Sequence, residues 1–276
     1  MKHSVMILCR VLGVSRSGYY AWHNRLPSQR QQTNEHLAQQ MIRIHQQSHQ
    51  VYGSPRIMRE LRHQGFWYNR KRIVRLMHLY SIRAKTVRRF KVTTRSHQVS
   101  GVTDLVRRNF TASAPNRVWT SDITYLWTQE GWVYLAIILD LYARRIVGWD
   151  ISSRLTADLV ASALQRALNN RQPESGLIFH SDRGIQYRSQ EVQLLIERYA
   201  IRQSMGATGS CYDNAVTESF FHTLKTEHAL FKSFQTRQEA RLSLFQYIDG
   251  FYNPRRLHSS LDYCSPDDYE KRSLTT

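Results

Sequence analysis

The chain has 276 residues, 41% of them hydrophobic and 11% aromatic, which is enough for a packed core in one or two domains. It carries 39 Lys and Arg against 21 Asp and Glu, a formal net charge of +18, and has no apolar run of about 18 residues, so no membrane-spanning helix is expected. Cys9, Cys211 and Cys264 lie far apart with no C-x-x-C pair, and Arg10 and Arg16 interrupt the apolar N-terminus. A disulfide framework, a cysteine-rich zinc site and a signal peptide are therefore not expected, and a cytoplasmic protein is.

The charge is unevenly placed. Residues 1–115 hold 21 Lys and Arg and three acids (Glu35, Glu60, Asp104), leaving 18 basic and 18 acidic residues for 116–276. A basic block of this kind attracts a polyanion, usually nucleic acid. Within it, residues 5–22 predict two short helices broken at Gly13-Val14-Ser15, forming with the following turn a helical N-terminal segment over residues 1–33. Gln-rich sequence from Pro27 to Asn34 reads as a linker. From Glu35 a helical pattern resumes with Leu37, Met41, Ile44 and His45 on one face. Ser54-Pro55 opens the next helix with a cap and a proline in its first turn, and Gly65 ends it. Asn69 caps a further helix with Ile73, Leu76 and Met77 inward and Arg70, Lys71, Arg72 and Arg75 outward. Two short helices around a glycine turn, the second one basic, match a helix-turn-helix over residues 34–85 whose second helix meets DNA. The pattern allows either base readout or a grip on phosphates, and a plain helical hairpin with solvated arginines shares it. Residues 86–115 read as a basic linker.

At Pro115-Asn116 the character changes. RVWTSDITYLWT alternates as a strand, Gln129-Glu130-Gly131 turns, WVYLAIILDLY is a central apolar strand, and RRIVGWDIS closes a meander. A helix follows over TADLVASALQRALNN with Thr156 as cap, then the strand GLIFHSD, the helix SQEVQLLIERYA and the short strand IRQSM. The last of these leads, through a glycine-bearing loop, to a helix capped by Asp213 or Asn214. Its apolar stripe is Val216, Phe220 and Leu224, and Asn214, Glu218, His222 and Lys225 gather opposite. Residues 116–276 thus predict a mixed sheet flanked by helices, an α/β domain behind an all-α region.

In such sheets chemistry gathers at strand ends and helix starts. Asp122 sits in the first strand, Asp182 ends the fourth, and Glu218 lies on the helix after the fifth. Three converging carboxylates repel unless divalent cations neutralise them, and hard oxygen donors favour two Mg²⁺ ions, with Mn²⁺ as a substitute. Such ions serve phosphodiester displacement, and Lys225 two turns beyond Glu218 can meet a DNA phosphate. Asp140 and Asp150, which end apolar strand patterns, are the rival acids. His180 reads as a packed or hydrogen-bonded neighbour.

VWTSDITY, HSDRGIQY and GSCYDNAVTESFFHTLKTE resemble, in order, the three signature segments of DDE transposases related to retroviral integrases. The nearest resemblance is to the catalytic reading frame of bacterial insertion sequences that make a two-frame transposase by frameshifting. YGSPRIMRELRHQG is similar to that group's helix-turn-helix region and YNPRRLHSSLDYCSPDDYE to its C-terminal segment, so the likeness spans nearly the whole chain. It implies an RNase H-like fold and metal-dependent strand cleavage and joining at the element's ends, with Asp122, Asp182 and Glu218 holding the metals. It further implies that Lys225 contacts end DNA and that Asn214 and Tyr187 support the site and belong with the DNA contacts. In a departure from retroviral integrases, their His/Cys zinc module is absent and the helix-turn-helix pattern stands in its place. The partners implied are terminal inverted repeats, target DNA, further copies of the chain on DNA, and an upstream-frame helical segment fused to it. A nuclease of the same fold without strand transfer and a non-catalytic DNA-binding regulator are the rival functions.

Overall fold

The computed structural model describes residues 4–85, 102–107, 109–206, 215–228 and 233–274. The chain forms two compact units, one of Met1–Gln47 and Gly53–Arg83 and the other of Ser48–Tyr52 and Ala84–Thr276.

The first unit is helical. Helices α1 (Val5–Val11) and α2 (Arg16–His23) flank a turn in which Gly13 takes φ +66°, as expected. Helix α3 (Gln29–Gln47) starts earlier than the sequence suggested: the Gln-rich stretch read as a linker is helical from Gln29. Glutamine is a good helix former, and the Ser28 hydroxyl accepts the Gln31 amide at 3.2 Å to start the turn. Helix α4 (Ser54–His63) is capped by Gly53 rather than Ser54, with the proline in its first turn. Helix α5 (Arg70–Leu79) is capped as expected, Asn69 accepting the Lys71 amide at 2.8 Å. Leu37, Met41, Ile57, Leu61, Ile73 and Leu76 are almost wholly buried and hold α3, α4 and α5 together.

The second unit is built on a five-stranded sheet of order β3-β2-β1-β4-β5. Strands β1 (Val118–Thr128), β2 (Gly131–Asp140) and β3 (Arg145–Ser152) form the antiparallel meander, whereas β4 (Ile178–Ser181) and β5 (Arg202–Met205) continue it in parallel. Helix α6 (Ala157–Arg171) lies against β3 and β2, and α7 (Gln190–Arg198) packs beside it. The core of this layer includes Trp119, Ala136, Ile138, Leu164, Leu168 and Phe179. Gly148 makes the approach possible, since a Cβ there would stand 2.4 Å from the Ala163 carbonyl oxygen. Helix α8 (Ala215–Glu227) packs on β1. Helix α9 (Arg237–Tyr247) runs through a π-turn (Ile248–Tyr252) into the single turn α10 (Asn253–Arg255), and α11 (Pro266–Leu274) ends the described chain. The Asn253 side chain pairs with β3 as a backbone would, accepting from the Ile146 amide at 3.0 Å and donating to its carbonyl at 2.9 Å. Of the expected linker, residues 86–101 lie outside the described residues. Its later part is packed: Val106 is buried and the Leu105 amide donates to Ser204 Oγ at 2.9 Å. This mixed sheet with helices on it, preceded along the chain by a helical unit, is the RNase H-like α/β architecture expected.

Candidate active site

The sheet register brings the first two acids together. The parallel ladder pairs Trp119 with Phe179 and Thr120 with His180. Asp122, within β1, and Asp182, just past the end of β4, each stand two residues beyond that last rung, where neighbouring strands of a parallel sheet run about 5 Å apart. Helix α8 delivers the third acid. Thr217, fully buried, shares a 3.0 Å hydrogen bond with Thr120. Thr120 and Asp122 point to the same face of β1 because strand side chains alternate. Pinning Thr217 to Thr120 therefore sets the first turn of α8, and with it Glu218, beside Asp122.

The electrostatics reflect this meeting. Burial, then the neighbouring Asp182 and Glu218, push Asp122 from 3.8 up to about 7, against the Ile123 amide and Lys225, which favour its ionised form. Burial also raises Glu218 and lowers Lys225, with Asp122 drawing the ammonium the other way. Asp182 is exposed and fixed by the Gly184 amide, which donates to its Oδ1 at 3.0 Å. Lys225 Nζ lies 5.1 Å from the centroid of the Tyr125 ring. Among the described residues, no three His, Cys, Asp or Glu side chains are already gathered into a cage for a metal ion. The donor set nonetheless fits a hard divalent cation: three carboxylate side chains stand with one ammonium beside them, and such a cation relieves their mutual repulsion.

The rival acids have other work. Asp140 is wholly buried and accepts the Asn116 amide at 2.7 Å and the Tyr142 amide at 2.9 Å, clamping the chain where it enters β1 and leaves β2. Asp150 accepts from Ser162 Oγ at 2.6 Å and pairs with Arg241 at 3.0 Å, tying β3 to α6 and α9. His180 is buried with Nδ1 2.9 Å from Ser204 Oγ, a packed neighbour as expected. Tyr187 is buried, its hydroxyl 3.0 Å from Ser121 Oγ on the face of β1 opposite Asp122, and burial, followed by Asp122 and Asp182, pushes its phenol well above its ordinary value. It packs beneath the site with 1% of its surface exposed, whereas the sequence reading places it among the DNA contacts. Asn214 and the expected caps of α8 lie outside the described residues. Sequence reasoning missed Thr120 and Thr217, which read as ordinary strand and helix residues. It also missed Arg183, whose Nε donates to the Gly206 carbonyl at 2.8 Å and joins the loop after Asp182 to the end of β5.

In the helical unit the four basic residues of α5 divide. Arg70, Lys71 and Arg75 are exposed. Arg72 donates through Nε to Asn34 Oδ1 at 3.0 Å, with its guanidinium 4.8 Å from the Tyr68 ring, so it joins α5 to α3.

Models of known families match three stretches of the chain. An integrase core domain matches residues 112–211, a second integrase core domain model matches 199–266, and an HTH-like domain matches 32–90. "Transposase InsF for insertion sequence IS3A" of Escherichia coli (strain K12) is 42% identical over 274 residues, covering 98% of this chain and 95% of the relative. "Insertion element IS600 uncharacterized 31 kDa protein" of Shigella sonnei is 41% identical over 266 residues, covering 96% and 98%. The HTLV-2 integrase catalytic core domain solved with magnesium is similar at 16% identity and a TM-score of 0.44, over 57% of this chain and 98% of that one.

Proposed function

This chain belongs to the family of the transposases of insertion sequence IS3, and from that premise we propose that it catalyses strand cleavage and strand transfer at the ends of an insertion sequence. The observation that supports this reading is the meeting of Asp122, Asp182 and Glu218 from three separate segments, where burial first, and then the two neighbouring acids, push Asp122 up to about 7. These residues would hold two Mg²⁺ ions, or Mn²⁺ in their place, and ions so held supply charge neutralisation and Lewis acidity at a phosphodiester.

The chain's own residues do the rest. Glu218, set by the Thr217–Thr120 bond, closes on the Asp122–Asp182 pair by side-chain rotation. Lys225 meets a phosphate of the bound strand, and Asn214 supports the same site. Water attacks the phosphodiester at the element's end and the 3′-oxygen leaves as a hydroxyl. That hydroxyl then attacks a target phosphodiester and displaces its 3′-oxygen, so one bond forms as one breaks at each step. Arg70, Lys71 and Arg75 grip the phosphates of the terminal repeats. Two or more copies hold the two ends together in the cytoplasm, and an upstream-frame helical segment joins the assembly. Mg²⁺-dependent cleavage and strand transfer with oligonucleotides bearing the element's ends, taken from the DNA flanking the coding region, test the reading. Glu218→Gln is expected to abolish both reactions, and wild-type rates in that variant would refute the assignment. Hydrolysis without joined products would mark the chain as a nuclease.

A further inference from the structure

Beyond its last rung with β4, Thr120 opposite His180, β1 pairs only with β2 until the isolated bridge between Thr128 and Phe234, among the described residues. This open-edged ribbon carries Tyr125 and Trp127 on β1 and Trp132 on β2, which are 55%, 54% and 47% exposed. Trp127 and Trp132 are direct cross-strand partners. The rings lock edge to face, Trp127 with Trp132 at 4.9 Å and 75°, and Tyr125 with Trp132 at 5.1 Å and 88°. Three large side chains thus form one aromatic surface, about half exposed, and exposed surfaces of this kind mark recognition sites.

Position and charge identify what it recognises. Lys225 Nζ sits 5.1 Å from the Tyr125 centroid, and the same ammonium lies in the field of Asp122. Tyr125 and Trp127 lie on the face of β1 opposite Asp122, and Lys225, near both, links the two faces where β1 has no strand on its other side among the described residues. Along β1, Tyr125 stands three residues on from Asp122, about 10 Å, or about three base steps of DNA. A second copy of the chain is a poorer fit. Three rings of about 200 Å² each, half exposed, offer about 300 Å², well below the roughly 800 Å² that each partner contributes to a stable interface.

We propose that Tyr125, Trp127 and Trp132 form a stacking platform for unpaired bases of the DNA strand whose phosphate lies at the carboxylates, with Lys225 holding that strand's backbone. The platform rests on the transposase reading given above and deepens it. Aromatic faces accept any base, so the surface binds single-stranded ends without reading their sequence. It gives the scissile strand somewhere to go when its terminal pairs open, which brings the phosphate out of the duplex and onto the acids.

The test uses the full chain in EDTA, so that no cleavage occurs, with fluorescently labelled twelve-nucleotide oligo(dT) and a twelve-base-pair duplex as probes. Trp127→Ala and Trp132→Ala are expected to weaken oligo(dT) binding about tenfold each, Trp127→Phe and Trp132→Phe to restore most of it, and all four to leave duplex binding within about twofold. Equal oligo(dT) affinity in wild type and both alanine variants would overturn the proposal. So would a change in sedimentation coefficient without a change in oligo(dT) binding, which would mark an interface between copies. Cleavage assays with Mg²⁺ are scored separately: lost oligo(dT) binding in a chain that never cleaves keeps the platform and sinks the transposase chemistry, and the converse keeps the chemistry and sinks the platform.

Discussion

Asp122 is where folding and function oppose each other. Its carboxyl ionises near 7 in the folded chain and near 3.8 when unfolded. As pH rises, the unfolded chain loses this proton first. The favourable contribution is therefore fully present below about 4 and is lost between about 4 and about 7. Asp122→Asn removes the effect. Without metal at pH 8 the variant is expected to be more stable than wild type by on the order of 2 kcal/mol, and equal to it at pH 4. Thermal melts in EDTA across that range check the difference between the two proteins, which cancels the other titrating groups. Mg²⁺ should raise the wild-type melting temperature at pH 8 and leave Asp122→Asn nearly unmoved. A variant less stable than wild type at pH 8 would contradict the burial and repulsion inferred for this carboxylate.

Helix α8 carries Glu218 in its first turn and Lys225 in its last, so its placement decides both. It is fastened at each end, by Thr217 to Thr120 at the start and by Glu227 at the finish. Glu227 is buried at a helix C-terminus, where the helix dipole disfavours an acid. Arg256 answers it with two hydrogen bonds of 2.6 and 2.7 Å, and Tyr247 adds a third at 3.1 Å. Removing one partner of a buried pair costs more than removing both. Arg256→Ala should lose about 3–5 kcal/mol in urea unfolding, whereas Glu227→Leu with Arg256→Leu should stay within about 1 kcal/mol of wild type or exceed it. A loss below about 1 kcal/mol in Arg256→Ala would show that the pair does not hold the helix. The apolar stripe of α8 was legible in the sequence because Val216, Phe220 and Leu224 recur at helical spacing. Glu227 was not, because an acid ending an amphipathic helix looks solvated until the chain returns 29 residues later with its arginine.

At the scale of the whole molecule, charge and chemistry are segregated. The excess positive charge lies in the first 115 residues, and the acids that matter lie beyond them. Duplex binding is therefore expected to weaken steeply with salt, and Lys71→Ala to lower affinity uniformly across sequences while reducing the salt slope by about one. Arg72→Ala should instead lower the stability of the helical unit, since its guanidinium is spent on Asn34 and Tyr68. Fluorescence anisotropy at several salt concentrations, paired with melts, separates the two. The strand succession and both helical hairpins were readable because period and capping are local properties. The parallel register that sets Asp122 beside Asp182 was not, because 59 residues intervene and nothing local encodes the match.

The claim on which everything turns is that three acids from three elements share divalent cations. Titrating Mn²⁺ into the full chain without DNA, with free ion followed by electron paramagnetic resonance, tests it most directly. Wild type is expected to bind Mn²⁺ in competition with Mg²⁺, and Asp122→Asn, Asp182→Asn and Glu218→Gln each to weaken or abolish that binding by at least tenfold. Wild-type Mn²⁺ binding in all three variants would contradict it.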